Sequence, residues 1–241
     1  MKSERIPVKS FSADNGFIGK MQKLVREEVL PYQYNILNDA IPGVEKSHAI
    51  ENIRLAAEKL RGKDVKPDEF YGMVFQDSDV AKWIEAAAYA LAAGEDPELE
   101  KAVDETIQLY GASQHEDGYV DSYFTVKCPD KMWTNICDAH ELYCAGHMME
   151  AAVAYYEVTG KRELLDIMSK SADCIYEQFM KKNTRAFPGH PEVELALMRL
   201  WRATGNEKYK ELAKHFVDVR GQAPNYFVEE KKNRGWNVWD G

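Results

Sequence analysis

The sequence predicts an all-α protein, a wall of αα-hairpins arranged as an α/α toroid. Apolar residues recur with helical period along most of the chain, and strand-like alternation is nearly absent. Two segments share one pattern. His140-Glu141-Leu142-Tyr143-Cys144-Ala145-Gly146-His147 leads to a turn at Thr159-Gly160, and Pro188-Gly189-His190-Pro191 leads to a turn at Thr204-Gly205. A looser copy opens at Asp77-Ser78-Asp79-Val80 and turns at Ala93-Gly94. The turn glycines lie roughly 45 to 65 residues apart, which excludes an array with a strict repeat of about 34 residues. Uneven hairpins with long connections at one end place loops and inner-helix ends around a concave site, with the short turns at the opposite end.

Taken in order, residues 1–15 read as an extended or poorly ordered lead-in. Residues 16–30 form an amphipathic helix with Phe17, Met21, Leu24 and Val25 on one stripe, which Pro31 is expected to bend or end. Pro42-Gly43 marks a turn. Ser47 is the expected N-cap of a helix through Ile50, Ile53, Ala57 and Leu60, closed by Gly62. A charged loop with Pro67 follows. Val80, Trp83, Ile84, Ala87 and Leu91 then line a helix that Gly94 closes. Asp96-Pro97 supplies an N-cap with proline at the first helical position, and Leu99, Val103, Ile107 and Tyr110 line the return. The long connection at 112–137 is of a length that is usually functional or disordered, and Tyr119, Tyr123, Phe124 and Trp133 make it too aromatic for disorder. Leu142, Met148, Met149, Ala152 and Tyr156 line the next outgoing helix; Leu164, Met168, Ala172, Ile175 and Phe179 line its return. The last hairpin uses Val193, Ala196, Leu197 and Leu200, then Tyr209, Leu212, Ala213 and Phe216, and Gly221 ends it.

A chain of 241 residues suffices for one large core or two small ones. Its net charge of −9 and pI near 5.3 argue against a nucleic-acid partner, which needs a concentrated basic face. The basic run Lys231-Lys232-Asn233-Arg234 follows Glu229-Glu230 and reads as a solvated loop. The first residues carry no apolar signal-like stretch, and no run approaches the ~18 apolar residues of a membrane span, which favours a cytoplasmic protein with no membrane partner. The four cysteines show no Cys-x-x-Cys spacing and read as free, mostly buried thiols. An aromatic share of 11% suits a sugar site and a packed helical core equally.

His190 is the sharpest candidate for chemistry. Proline at 191 pushes it out of the α region, so its ring projects from the helix start, where it either binds ligand or caps its own helix. His140 lies twenty residues before Gly160, and His190 and Asp79 each lie fifteen before their turn glycines. All three should face one rim, with His140 one to two turns further out. His147, deeper in its helix, reads as a satisfied core histidine. Cys137, His140, Cys144 and His147 lie near one helical stripe, but at ~1.5 Å per residue they span roughly 15 Å, too far to share one ion. Asp77, Asp79, Glu116, Asp117, Asp121, Glu141 and Glu194 are candidate acids or bases; a glycosidase pair stands about 5 to 9.5 Å apart, which sequence cannot measure. Asp77-Ser78-Asp79 also fits an N-cap with favourable dipole charge.

Phe75-Gln76-Asp77-Ser78-Asp79-Val80-Ala81-Lys82-Trp83, Asp117-Gly118-Tyr119, His140-Glu141-Leu142-Tyr143 with Gly146-His147, and Gly189-His190-Pro191-Glu192-Val193-Glu194-Leu195-Ala196 together resemble glycoside hydrolase family 127, the β-L-arabinofuranosidase-like enzymes. The resemblance runs from about Pro31 to Gly221. It implies an (α/α)6 barrel, release of terminal L-arabinofuranose, and a retaining mechanism with a zinc-held cysteine nucleophile and a glutamate acid/base. His140 and His190 carry over as residues that contact the sugar, with Phe75 and Asp79 lining the same region. Family members are more than twice this length, and their zinc ligands, nucleophile and acid/base lie beyond the matched portion; none of Cys128, Cys137, Cys144 or Cys174 matches that cluster. Residues 1–241 are therefore expected to be the amino-terminal portion of an incomplete (α/α)6 barrel. That portion would bind a sugar or oligosaccharide, be inactive alone, hold no metal ligands of its own, and self-associate through exposed apolar helix faces. The ending Trp236-Asn237-Val238-Trp239-Asp240-Gly241 does not look like a natural domain end. The alternatives are a non-catalytic helical scaffold or carbohydrate-binding module, or another α/α-barrel sugar enzyme such as an unsaturated uronyl hydrolase or an epimerase.

Overall fold

A computed structural model describes residues 6–11, 13, 16–182 and 185–235. It bears out the all-α prediction: eleven α-helices and no strand occur among the described residues. Within the lead-in, Val8–Ser10 forms a short 3-10 turn and Phe11 after it is extended; the rest of 1–15 is described only in part, and 236–241 lies outside the described residues.

Helices α1 (Gly16–Leu24) and α2 (Leu30–Leu37) form one rod, joined by a π-helical turn at Val25–Val29. Pro31 therefore neither ends nor breaks it. Proline lacks an N–H and its ring presses on the carbonyl four residues back, and the widened turn just before it absorbs both effects. Helix α3 (Ala49–Leu60) begins one residue later than expected. His48 occupies its N-cap at φ +55°, and the Ser47 hydroxyl only reaches the Ala49 N–H at 3.4 Å.

Three hairpins follow, with outgoing helices α4 (Asp77–Ala93), α7 (Glu141–Thr159) and α9 (Val193–Thr204), and returning helices α5 (Pro97–Ala112), α8 (Glu163–Tyr176) and α10 (Glu207–Arg220). Asp96 caps α5 as predicted, accepting from the Leu99 N–H at 3.1 Å. Gly160 and Gly205 close α7 and α9 in the left-handed conformation, at φ +78° and +74°. Gly94 differs: its φ of 170° is extended, and the Arg26 guanidinium packs where a side chain would be. Gly221 ends α10 as predicted, and a short helix, α11 (Tyr226–Arg234), follows it, so the basic run Lys231-Lys232-Asn233-Arg234 lies in a helix and not in a loop.

Helix α7 lies between α4 and α9 and is apolar on nearly every side, with Leu142, Met148, Met149, Ala152 and Val153 all buried. Such a helix sits in the middle of a wall, not on its surface. Tyr155, not the expected Tyr156, is its buried tyrosine. Gly146 lets α9 approach closely, since a Cβ there would lie 3.0 Å from the Val193 amide nitrogen.

The long connection is ordered, as its aromatic content predicted, and it contains α6 (Ser122–Lys127) and a 3-10 turn at Pro129–Lys131. Tyr119 meets Trp133 edge-on at 4.9 Å, Trp133 meets Phe179 at 5.6 Å, and Phe179 meets Phe216 at 5.2 Å. This chain of rings ties the connection to the returning helices. Among the described residues no helix is long and apolar enough to cross a membrane.

Candidate functional site

The three outgoing helices begin at one rim, and their differing lengths decide which residues meet there. From Gly160 back to His140 nearly every residue is helical, a rise of about 29 Å. From Gly205 back to His190 there are twelve helical residues and three in a bend and turn. Those three advance between the helical ~1.5 Å and the extended ~3.3 Å per residue, so the path is about 23–28 Å. His140 does not stand one to two turns further out, because its ring meets that of His190. Asp79 is helical throughout its path and falls about a turn short, whereas Phe75, before the start of α4, reaches the rim.

Ring contacts follow this reckoning. The His140 and His190 centroids are 5.1 Å apart, and Phe75 lies 5.3 Å from His140. Asp79 stands exposed one turn along α4, where the Gln76 amide donates to it at 3.4 Å. Tyr143, one turn into α7, joins the group at 5.6 Å from His140, 5.0 Å from His190 and 4.4 Å from His147. Its hydroxyl accepts from Lys82 Nζ at 3.1 Å, and the same ammonium reaches Ser78 Oγ at 3.1 Å. Tyr143 and Lys82 are thus site residues that the sequence reading did not single out. The spacing from His140 to Tyr143, three residues on one helix face, was the available signal.

His140 is the N-cap of α7 at φ +63°, and its Nδ1 lies 2.6 Å from the carbonyl oxygen of Asp138. A carbonyl only accepts, so Nδ1 carries the hydrogen and Nε2 is the ring's acceptor in the neutral form. His190 is held below the ordinary histidine range, first by desolvation and then by the neighbouring His140. His147 is not sealed in the core. It is half-buried behind Tyr143, with Nδ1 3.4 Å from Glu192. Burial lowers His147 to about 4 and raises Glu192 to about 7, so near neutral pH this contact is not a full ion pair.

Most of the other candidate carboxylates turn out to hold the structure together. Asp77 is no helix cap: it is 4% exposed and accepts from both the N–H, at 2.7 Å, and the hydroxyl of Ser122. Asp121 caps α6 through the Phe124 N–H at 3.0 Å, and burial beside Asp77 drives its carboxyl well above the usual range. Glu194 pairs with Arg220 at 3.0 Å, and Asp117 accepts from the Tyr119 N–H at 3.0 Å. Glu116 is exposed on the turn just before Asp117. Among the described residues no three His, Cys, Asp or Glu side chains are placed to hold one metal ion. The described residues therefore offer no complete ligand set for the zinc that the resemblance implies.

Parallel outgoing helices that bring imidazoles and aromatic rings to one rim, with short turns at the far end, form the wall of an α/α barrel. The β-L-arabinofuranosidase, GH127 catalytic domain family matches residues 12–240, and the chain belongs to that family. It is 41% identical over 226 residues to the non-reducing end β-L-arabinofuranosidase of Bifidobacterium longum subsp. longum, covering 86% of this chain and 33% of the relative. The crystal structure of a GH127 β-L-arabinofuranosidase from Geobacillus stearothermophilus T6 superposes with a TM-score of 0.81 at 51% identity, over 92% of this chain and 34% of that one. A second GH127 β-arabinofuranosidase structure gives 0.79 at 31% identity, over 93% of this chain and 36% of that one. The chain thus spans about a third of the length of these relatives.

Proposed function

We propose that the rim formed by Phe75, His140 and His190 holds a terminal L-arabinofuranosyl residue, and that this chain is the substrate-holding part of a retaining β-L-arabinofuranosidase. The observation that carries this is the meeting of His140 and His190 at 5.1 Å, with Phe75 beside them, at the starts of three successive outgoing helices. Nε2 of His140 accepts a sugar hydroxyl, His190 exchanges a hydrogen bond with a second, the Phe75 ring packs on the apolar face of the furanose, and Asp79, a turn further along α4, accepts from another hydroxyl. The relatives' names supply the sugar and the anomer.

The chain alone binds without hydrolysing. A cysteine nucleophile must be a thiolate, and burial pushes the thiols of Cys128 and Cys144 up, and Cys174 up to about 12. The zinc, the nucleophile and the glutamate acid/base have no assigned residues among those described.

Titration of the chain with methyl β-L-arabinofuranoside tests the site. His140→Ala and His190→Ala are each expected to weaken binding about tenfold, the loss of one or two good hydrogen bonds. Unchanged affinity in both variants would remove the site. Robust release of aglycone from an aryl β-L-arabinofuranoside by the 241-residue chain would refute the claim that it does not hydrolyse.

A further inference from the structure

Beside His140 lies a carboxylate that touches nothing at the rim. Glu141 is 2% exposed, yet it accepts from the Tyr119 hydroxyl at 2.7 Å and from the Trp133 backbone N–H at 3.0 and 3.1 Å, one contact to each oxygen. Trp133 lies eight residues upstream, so the side chain of Glu141 closes a loop whose last residue before the helix is His140. Both ends of that loop are left-handed: Trp133 at φ +62° and His140 at φ +63°. Non-glycine residues avoid this region, and they stay there only when their surroundings over-determine it. Here the surroundings at one end are the rings of Tyr119 and Phe179 around Trp133, and the fastening between the ends is the Glu141 carboxylate.

The same loop sets the chemistry of the His140 ring. Asp138, whose carbonyl fixes Nδ1 as the protonated nitrogen, is inside it, and its own N–H is held by the Asn135 side chain at 3.2 Å. Keeping such a carboxylate out of water is costly; burial pushes it up to about 7. Glutamine would not replace it in place, because its amide nitrogen would face the Trp133 N–H, donor against donor.

We propose that Glu141 is a positioning residue for His140: by fastening the Trp133–His140 loop it holds the imidazole at the rim in one tautomer, with Nε2 toward the sugar. This rests on reading the rim as the sugar site, and the test separates the two claims. The chain is prepared with 15N-labelled histidine, and long-range proton–nitrogen spectra report which ring nitrogen of His140 carries the hydrogen. Wild type is expected to show the Nδ1–H form alone. Glu141→Gln and Tyr119→Phe, checked for native helical content, are expected to lose that single form and to bind methyl β-L-arabinofuranoside about tenfold more weakly. Tyr119→Phe leaves Glu141 in the chain but removes the hydroxyl that anchors its carboxylate against the Trp133 N–H, so it carries the test if Glu141→Gln does not fold. A folded variant that retains the Nδ1–H form overturns the proposal, whatever the sugar does. If the tautomer is lost in these variants while His140→Ala leaves sugar affinity untouched, the clamp stands and the sugar assignment of the rim falls.

Discussion

Gly189 and Cys137 touch backbone to backbone: a Cβ added at Gly189 would stand 2.1 Å from the Cys137 carbonyl oxygen. This contact brings the loop before His190 against the loop before His140, which explains why rings on two different helices meet. A real Cβ cannot sit there, so one loop must move.

Gly189→Ala is therefore expected to destabilise the fold by about 1–3 kcal/mol, the usual cost of overpacking, and to lower affinity for the arabinofuranoside. Urea unfolding and titration measure the two. Gly205→Ala is the control: it has open space but φ +74°, so it should cost about 1 kcal/mol and leave binding unchanged. Equal binding by both variants would contradict the role given to the loop contact.

His190 should titrate below an ordinary histidine. Desolvation is the larger cause and the charge of His140 the second, so His140→Ala should raise the His190 value part of the way back. NMR titration of the His190 ring protons reads this directly. A fall in the variant would mean that the two rings do not share the rim.

Glu141 gives stability a definite pH dependence. Its carboxyl is raised from 4.5 to about 7 in the fold, so between those values the native state binds more protons than the unfolded chain. Stability from this group is complete at low pH and falls as pH rises through that window, by up to ~1.4 kcal/mol per pH unit. Relative to wild type, Glu141→Gln should gain on the order of 2 kcal/mol between pH 5 and pH 8, whatever the constant cost of its lost hydrogen bonds. Unfolding curves at the two pH values, compared as a difference, decide it. A flat difference would contradict burial of an ionisable group here.

The stripe on α1 remains uncovered. Phe17 is 76% exposed and Ile18 56%, with Met21, Leu24 and Val25 beside them. Contiguous apolar patches of more than a few hundred Å² drive association. Sedimentation velocity should show concentration-dependent self-association, and Phe17→Glu should shift it toward monomer. A wild type that stays monomeric at high concentration would contradict it.

Much of the rim could be read from the chain because it depends on counting along helices. Histidines twenty and fifteen residues before Gly160 and Gly205 had to emerge at the same end, and they do. The count put Asp79 level with His190, but fifteen residues of helix are somewhat shorter than twelve of helix and a three-residue turn. It failed at Asp77 for another reason. An aspartate at a helix start is locally a good cap, but Ser122, far along the chain, offers two donors in a dry pocket.

Helical periods, turn glycines, the Asp96 cap and the order of hairpins follow from the sequence by itself, because each depends on neighbours within a turn or two. The level of the rim residues, the fastening of Trp133 by Glu141, the left-handed turn at His140 and the contact of Gly189 with Cys137 were decided only in the tertiary structure. They depend on groups brought together by packing, where a buried donor or acceptor must find its partner wherever the fold has placed one.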